Sequence, residues 1–246
     1  METQAAEPRG ATIVLVHGAG AGAWCWEPLG RELDARGIAH VAVDLPTVGP
    51  GVDATLSSQA DVAHVRSVLD AVDGPIVLCG NSYGGVVITG ASAGHPRVRH
   101  LVYLAAFMPD GDEDLVSLSA DACTPESMAV AIFRDDGLVE LNAELTKKLS
   151  FQQAPAEVAD WAAARLRPMA MRSGDPSTLT GVGWRTIDST YVVCGDDQSI
   201  RPEAQRRWAR ERATKSVEVP FDHCPQLSHP VEIADLLAGI VAEVTT

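Results

Sequence analysis

Short, almost uninterrupted apolar runs alternate with longer stretches of helical periodicity, and this alternation constrains the fold more than any other feature of the chain. Ala11 to Val16 (ATIVLV), His40 to Asp44 (HVAVD), Pro75 to Cys79 and His100 to Ala105 read as strands. Between them lie helical patterns over Trp26 to Arg36, Ser57 to Val72 and Tyr83 to Ala93. In the second of these, Val62, Val65, Val68, Leu69 and Val72 fall on one face. Strands that are apolar on both sides, each followed by a helix, require a mainly parallel sheet covered on both faces. The pattern breaks between Met108 and Arg185, where helical pieces such as Pro155 to Leu166 occur but no convincing strand does. It resumes with the strand Thr190 to Cys194, a helix near Pro202 to Ala213, the strand Ser216 to Val219 and a last helix from Pro230 to Val244. The expectation is an α/β chain with a doubly wound, mostly parallel sheet. Its core spans 1–107 and 186–246, and a helical cap, 108–185, is inserted after the fourth recognised strand.

Composition bears on partners. Hydrophobic residues make up 46% and charged residues 21% of the 246, enough apolar matter for a full core. With 19 Lys and Arg against 33 Asp and Glu the formal net charge is −14, which repels nucleic acid and anionic membranes and suits a neutral small molecule. The segment Met1 to Glu7 lacks the basic stretch and long apolar run of a secretory leader. The cysteines, Cys25, Cys79, Cys123, Cys194 and Cys224, are odd in number and form no Cys-x-x-Cys pair, so neither a disulfide framework nor a structural zinc site is expected. These observations together predict a cytoplasmic protein. No His, Cys, Asp and Glu grouping has metal-ligand spacing, and no cofactor is expected. The oligomeric state is left open, a homodimer among the alternatives.

Two motifs compete for the chemistry. His17-Gly18-Ala19-Gly20-Ala21-Gly22-Ala23 follows the first strand, and Asp44 ends the second, the outline of a dinucleotide fingerprint. Bulky Trp24 and Trp26 stand where a helix start should face a pyrophosphate, and this weighs against it. Gly80-Asn81-Ser82-Tyr83-Gly84 lies between a strand and a helix, the setting of a Gly-x-Ser-x-Gly nucleophile elbow. There a strained turn lifts Ser82 above the sheet, at a helix start that favours developing negative charge. An acid and a base are expected later in the chain, in that order. Asp197, in Gly195-Asp196-Asp197 after a strand, is preferred to Asp196 as the acid. His223, after the last strand, is preferred as the base to His229, which precedes Pro230 and opens the last helix. His17 is read as support for the loop after the first strand. The Arg201 to Arg212 cluster is read as a solvated helix face.

With these pieces in order the sequence resembles the α/β-hydrolase superfamily. Within it, the resemblance is to the small esterase and hydroxynitrile-lyase group that includes plant methyl-ester hydrolases such as the salicylate-binding protein. Leu15-Val16-His17-Gly18-Ala19, Ala23-Trp24-Cys25-Trp26, Val43-Asp44-Leu45-Pro46, Gly80 to Gly85, Leu104 to Pro109 and Asp222-His223-Cys224-Pro225-Gln226-Leu227-Ser228-His229-Pro230 carry it. It implies Ser82 as nucleophile, Asp197 as orienting acid, His223 as base, and the backbone N–H groups of Ala19 and Tyr83 as oxyanion hole. It also makes 108–185 a cap, with Phe133, Phe151, Trp161, Met169 and Met171 as candidates for the substrate pocket. Two departures stand out. Asn81 replaces the histidine that usually precedes the nucleophile in this group. Cys224 replaces the lysine that follows the base histidine in the hydroxynitrile lyases, and Ala19 lacks a hydroxyl for a cyanohydrin. Ser82 rather than Asp argues against dehalogenase and epoxide-hydrolase chemistry, which needs a carboxylate nucleophile. The expected function is hydrolysis of a small, neutral carboxylic ester through an acyl-enzyme. The alternatives are a carbon–carbon lyase and a non-enzymatic small-molecule receptor on the same fold.

Overall fold

The computed structural model describes residues 10–111, 113–170, 179 and 181–245. In chain order the elements are β1 (Thr12–Val16), α1 (Glu27–Ala35), β2 (His40–Val43), α2 (Ser58–Ala71), β3 (Ile76–Asn81), α3 (Gly84–Ala91) and β4 (Val98–Leu104). Then come α4 (Leu115–Ala122), α5 (Pro125–Met128), β5 (Ala131–Phe133), β6 (Leu138–Leu141), α6 (Ala143–Ser150), α7 (Ala156–Ala163) and β7 (Met169–Ala170). The chain closes with β8 (Ser189–Cys194), α8 (Pro202–Arg212), β9 (Lys215–Val219), α9 (Pro225–Ser228) and α10 (Pro230–Thr245).

Six strands form one parallel sheet in the order β2-β1-β3-β4-β8-β9. Alternate side chains of each central strand enter different cores, which is why the runs are apolar throughout. Val14 and Val16 of β1, Ile76 and Leu78 of β3, and Leu101 and Tyr103 of β4 pack with α2, α3 and α8 through Val65, Leu69, Val87 and Trp208. Their neighbours Ile13, Leu15, Val77, Cys79, Val102 and Leu104 pack on the other side with α1 and α10 through Leu29, Leu33, Ile233 and Leu237. Each fully buried Leu or Ile contributes about 1.5–3 kcal/mol relative to exposure. The fold is therefore the expected doubly wound sheet covered on both faces.

The segment after β4 differs from expectation in one respect. Besides the helices α4 to α7 it holds a second, antiparallel sheet in the order β5-β6-β7, where no strand was expected. These strands are two to four residues long, too short for a period-2 pattern to register. The signal that could have found them is Asp136-Gly137 between Phe133 and Leu138. Gly137 takes φ 82°, which lets the chain reverse, and the Arg134 N–H donates to the Leu138 carbonyl at 2.9 Å. Among the described residues no helix is long and apolar enough to cross a membrane.

The topology fixes where a ligand can sit. From β1 the chain runs to β2 on one side, and β3 then pairs on the other side of β1. At such a reversal the loops leave the carboxyl ends of neighbouring strands in opposite directions and open a crevice between them. Here the crevice lies between the loop after β1, which carries Ala19, and the turn after β3, which carries Ser82.

Candidate active site

Ser82 stands between β3 and α3 with φ 54°, a left-handed conformation that costs a non-glycine residue about 1–2 kcal/mol. Two hydrogen bonds hold the turn: the Ser82 carbonyl accepts from the N–H groups of Gly85 (3.0 Å) and Phe107 (3.1 Å). The flanking glycines are required by crowding. A Cβ at Gly80 would lie 2.6 Å from the Gly84 carbonyl oxygen, and one at Gly84 would collide with the Val16 carbonyl oxygen. So Gly-x-Ser-x-Gly follows from a strand, a turn and a helix passing through one tight space.

Asp197 lies in the turn after β8 and is buried. Its carboxylate is saturated. Oδ1 accepts from the N–H groups of Ser199 (2.7 Å) and Ile200 (2.9 Å), and Oδ2 accepts from Gln205 Nε2 (2.7 Å) and His223 Nδ1 (2.7 Å). Asp196 is exposed and bonds instead to Gln153 Nε2 at 2.9 Å. His223, on the loop after β9, is 6% exposed. Burial pushes its imidazole pKa down, but the Asp197 charge, the Asp197 hydrogen bond and the charge of Asp222 outweigh burial, and the pKa stands above the ordinary 6.5. His229 stacks on Phe221 with ring centroids 3.9 Å apart and takes part in a 2.9 Å hydrogen bond with Ser228 Oγ.

Ser82 and His223 border one cavity of about 250 Å³, together with Ala19, Tyr83 and Asn81. Residues between β4 and β8, among them Leu115, Val130, Leu141 and Phe151, contribute to its lining, and its walls are mostly apolar. Among the described residues that line it there is no Lys, Arg, Asp or Glu. Its three thiols, Cys25, Cys123 and Cys224, are all raised by burial and stay neutral.

Of the residues expected in the pocket, Phe133 and Phe151 line the cavity, Phe133 at an exposed position and Phe151 buried. Trp161 does not line it. It packs edge-on against Trp24, centroids 5.4 Å apart, with the Arg165 guanidinium over its ring. Met169 pairs with Val139 in the small sheet and is buried in the core beneath it. An apolar position in the sequence does not say whether it will face the cavity: Met169 went to the core, and Trp161 packs, partly buried, against the other core cluster. Met171 lies outside the described residues.

The glycine-rich loop after β1 supports the site. The His17 Nδ1–H donates to the Gly18 carbonyl (2.8 Å), while Nε2 accepts the Leu45 N–H (3.1 Å), so the ring is held neutral. Its pKa is pushed down from 6.5 to about 4, by burial above all. Because unfolding restores the ordinary value, stability falls as pH drops from 6.5 towards 4, by about 3 kcal/mol at full extent. His17→Gln is expected to remove that part of the acid sensitivity. Urea midpoints of both proteins at pH 7 and pH 4 would test it, and equal acid losses would refute it. Asp44 is engaged within the protein, accepting from the Ala23 N–H (2.9 Å) and Arg167 (3.0 Å), as a structural residue rather than a ribose ligand would.

Three supports had no sequence signal. Gln205, fully buried on α8, donates to Asp197 and to the Ile200 carbonyl (2.9 Å) and accepts the Cys194 N–H (2.9 Å). The Tyr83 hydroxyl donates to Asp61 Oδ2 at 2.7 Å, and Asp61 also accepts from the Thr47 N–H (3.0 Å) and hydroxyl (2.6 Å). Asp222, the second buried carboxylate beside His223, accepts from the Gln153 N–H (3.0 Å) and Ser228 Oγ (2.7 Å). Burial raises the pKa of both Asp61 and Asp222. Among the described residues no group of three or more His, Cys, Asp and Glu is arranged to hold a metal ion.

Comparison with known proteins sets this geometry in context. The sequence profile of the alpha/beta hydrolase family matches residues 13–236. A carbendazim-hydrolyzing esterase from Nocardioides sp. (strain SG-4G) is 31% identical over 248 residues, covering 94% of this chain and 99% of that protein. Methylesterase 8 of Arabidopsis thaliana is 27% identical over 93% of this chain and 88% of its own length. The crystal structure of polyneuridine aldehyde esterase superposes with a TM-score of 0.84 at 24% identity, covering 94% of this chain and 99% of that one.

Proposed function

Since the chain belongs to the alpha/beta hydrolase family, we propose that it is a serine esterase acting on small, neutral carboxylic esters. The observation that carries this reading is the union, at one cavity, of a serine in a left-handed turn with an imidazole held by a buried carboxylate at 2.7 Å. The Asp197 carboxylate accepts the His223 Nδ1–H, so Nε2 is the basic nitrogen and takes the Ser82 proton as Oγ attacks the ester carbonyl. The backbone N–H groups of Ala19 and Tyr83 receive the negative charge of the tetrahedral intermediate. His223 then protonates the departing alkoxide, the acyl group stays on Ser82, and water activated by the same imidazole releases the acid.

Esterase names among the relatives support this class of reaction. The neutral cavity supports the substrate preference, and the buried Cys224 thiol offers no positive charge to hold cyanide, which disfavours the lyase alternative. Five free cysteines suit a reducing compartment, and a cytoplasmic location is retained on that ground.

A fluorophosphonate probe is expected to label the folded protein at Ser82, located by mass spectrometry of the labelled peptide. Labelling elsewhere, or none, refutes the mechanism. A panel of nitrophenyl and methyl esters, with carbendazim added, tests the substrate. A free carboxylate or ammonium on the acyl chain would be buried without a partner at a cost of several kcal/mol. Such esters are expected to show kcat/KM about 100-fold or more below their neutral isosteres. Equal rates would remove the assignment of neutral substrates while leaving the mechanism intact.

A further inference from the structure

We propose that Asn81 is a positioning residue that locks the base to the nucleophile through the backbone of His223. This inference rests on the Ser82–His223 reading above. Asn81 ends β3, immediately before Ser82, and is 2% exposed. Its Nδ2 donates to the carbonyl of His223 (3.0 Å) and to the carbonyl of Leu104 at the end of β4 (2.9 Å). Its Oδ1 accepts from Gln226 Nε2 (3.1 Å) and from Cys224 Sγ (3.8 Å).

These partners fix the amide's orientation. Turned by 180°, it would set its oxygen against two carbonyls and its NH2 against the Gln226 NH2. One side chain therefore binds the end of β3, the end of β4 and residues 223 to 226 together.

The consequence for the chemistry follows from connectivity. Asp197 holds the far side of the imidazole, but it belongs to the turn after β8, two strands from β3 in the sheet. It sets the ring's tautomer and tilt, not the distance of the His223 backbone from Ser82. Asn81 is one peptide, about 3.8 Å between Cα atoms, from Ser82. The path from nucleophile to base backbone thus runs through a single amide. The histidine usual at this position in the resembling group offers, when neutral, one N–H donor. The asparagine offers two, and both are used on carbonyls. Small displacements between nucleophile and base are costly in rate, so loosening this clamp should reduce turnover rather than binding.

The test is a double-mutant cycle on hydrolysis of an activated, neutral nitrophenyl ester, with thermal unfolding followed in parallel. Asn81→Ala is expected to lower kcat about 30- to 100-fold with KM changed by less than about 3-fold. Asn81→His, which restores one donor, is expected to recover turnover to within about 10-fold of the parent. In a His223→Ala background the same Asn81→Ala change is expected to cost less than about 2-fold, because a residue acting through the base has nothing left to position. Losses that multiply in the double variant, or an unchanged kcat in folded Asn81→Ala, overturn the proposal. If Asn81→Ala does not fold, Asn81→Leu has nearly the same shape but cannot donate to either carbonyl, and it carries the same cycle. Failure of the underlying reading looks different, because His223→Ala would then retain parental activity by itself.

Discussion

Ser82→Ala is expected to lower kcat/KM for a neutral ester by about 10⁴- to 10⁶-fold while leaving the fold in place. The size follows from the proposed mechanism: without Oγ no acyl-enzyme would form, and only the proposed oxyanion donors and the cavity would remain to assist attack by water. His223→Ala should cost about as much, and the Ser82→Ala, His223→Ala pair should be no slower than either single variant, since in the proposed mechanism the two groups perform one proton-coupled step. Stability should respond independently. Alanine inherits the φ of 54° and its strain, so its unfolding free energy should match the parent within about 0.5 kcal/mol. Ser82→Gly, equally inactive, should be more stable by about 1 kcal/mol, because glycine adopts that conformation freely. Turnover by Ser82→Ala above about one hundredth of the parent would assign the nucleophile elsewhere.

Asp197→Asn is the second large effect, about 10³- to 10⁴-fold in kcat. The four donors around Asp197 leave an amide no acceptable orientation. With its NH2 at the Oδ1 position it confronts the N–H groups of Ser199 and Ile200. With its NH2 at the Oδ2 position it confronts Gln205 and turns His223 Nδ1 into an acceptor, which places the proton on Nε2, where the base must be free. The pH profile carries a second signature. In the parent, kcat/KM should fall on the acid side with an apparent pKa above 6.5, where Asp197 and Asp222 hold the imidazole. In Asp197→Asn burial regains the upper hand, and the acid limb should move to lower pH. Stability moves with it. His223 is raised on folding, so its stabilising contribution is complete below 6.5 and is lost as pH rises through the folded value. The stability gap between parent and variant should accordingly narrow from pH 6 to pH 9. An unshifted acid limb would separate Asp197 from the titration of the base.

The sheet was legible because both faces are covered. Ile13 to Val16 or Ile76 to Cys79 read as strands through continuous apolarity, and alternate residues of each indeed enter different cores. Ser82, Asp197 and His223 could be proposed together from the sequence because each follows a strand, and the loops after parallel strands share one edge of the sheet. What stayed hidden depends on pairing at long range. The amide of Gln205 meets Asp197 from the buried face of a helix whose sequence is dominated by charged residues. Asn81 was visible as a departure, but its hold on residue 223 spans 142 positions and has no local signature. Trp161 and Met169 carry the same apolar mark as Phe151, and only the folded chain shows that Phe151 borders the cavity while the other two do not. The hairpin at Asp136-Gly137 was legible in principle through its turn, though not through its short strands.

The neighbouring strands β4 and β8 are joined by 84 residues, from Ala105 to Asp188, and this sets an order of events in folding. Strands β1 to β4 and their helices assemble from nearby contacts. Bringing β8 alongside β4 closes a loop whose length-dependent entropy costs about 4 kcal/mol before any contact repays it. The serine is synthesised on the near side of that loop, the aspartate and histidine on the far side. A nascent or refolding chain should therefore acquire much of its sheet before it acquires any turnover, and regained activity should trail regained secondary structure. On the proposed assignment hydrolytic competence should be the last property the chain obtains, and by the same logic the first it loses when β8 and β9 detach.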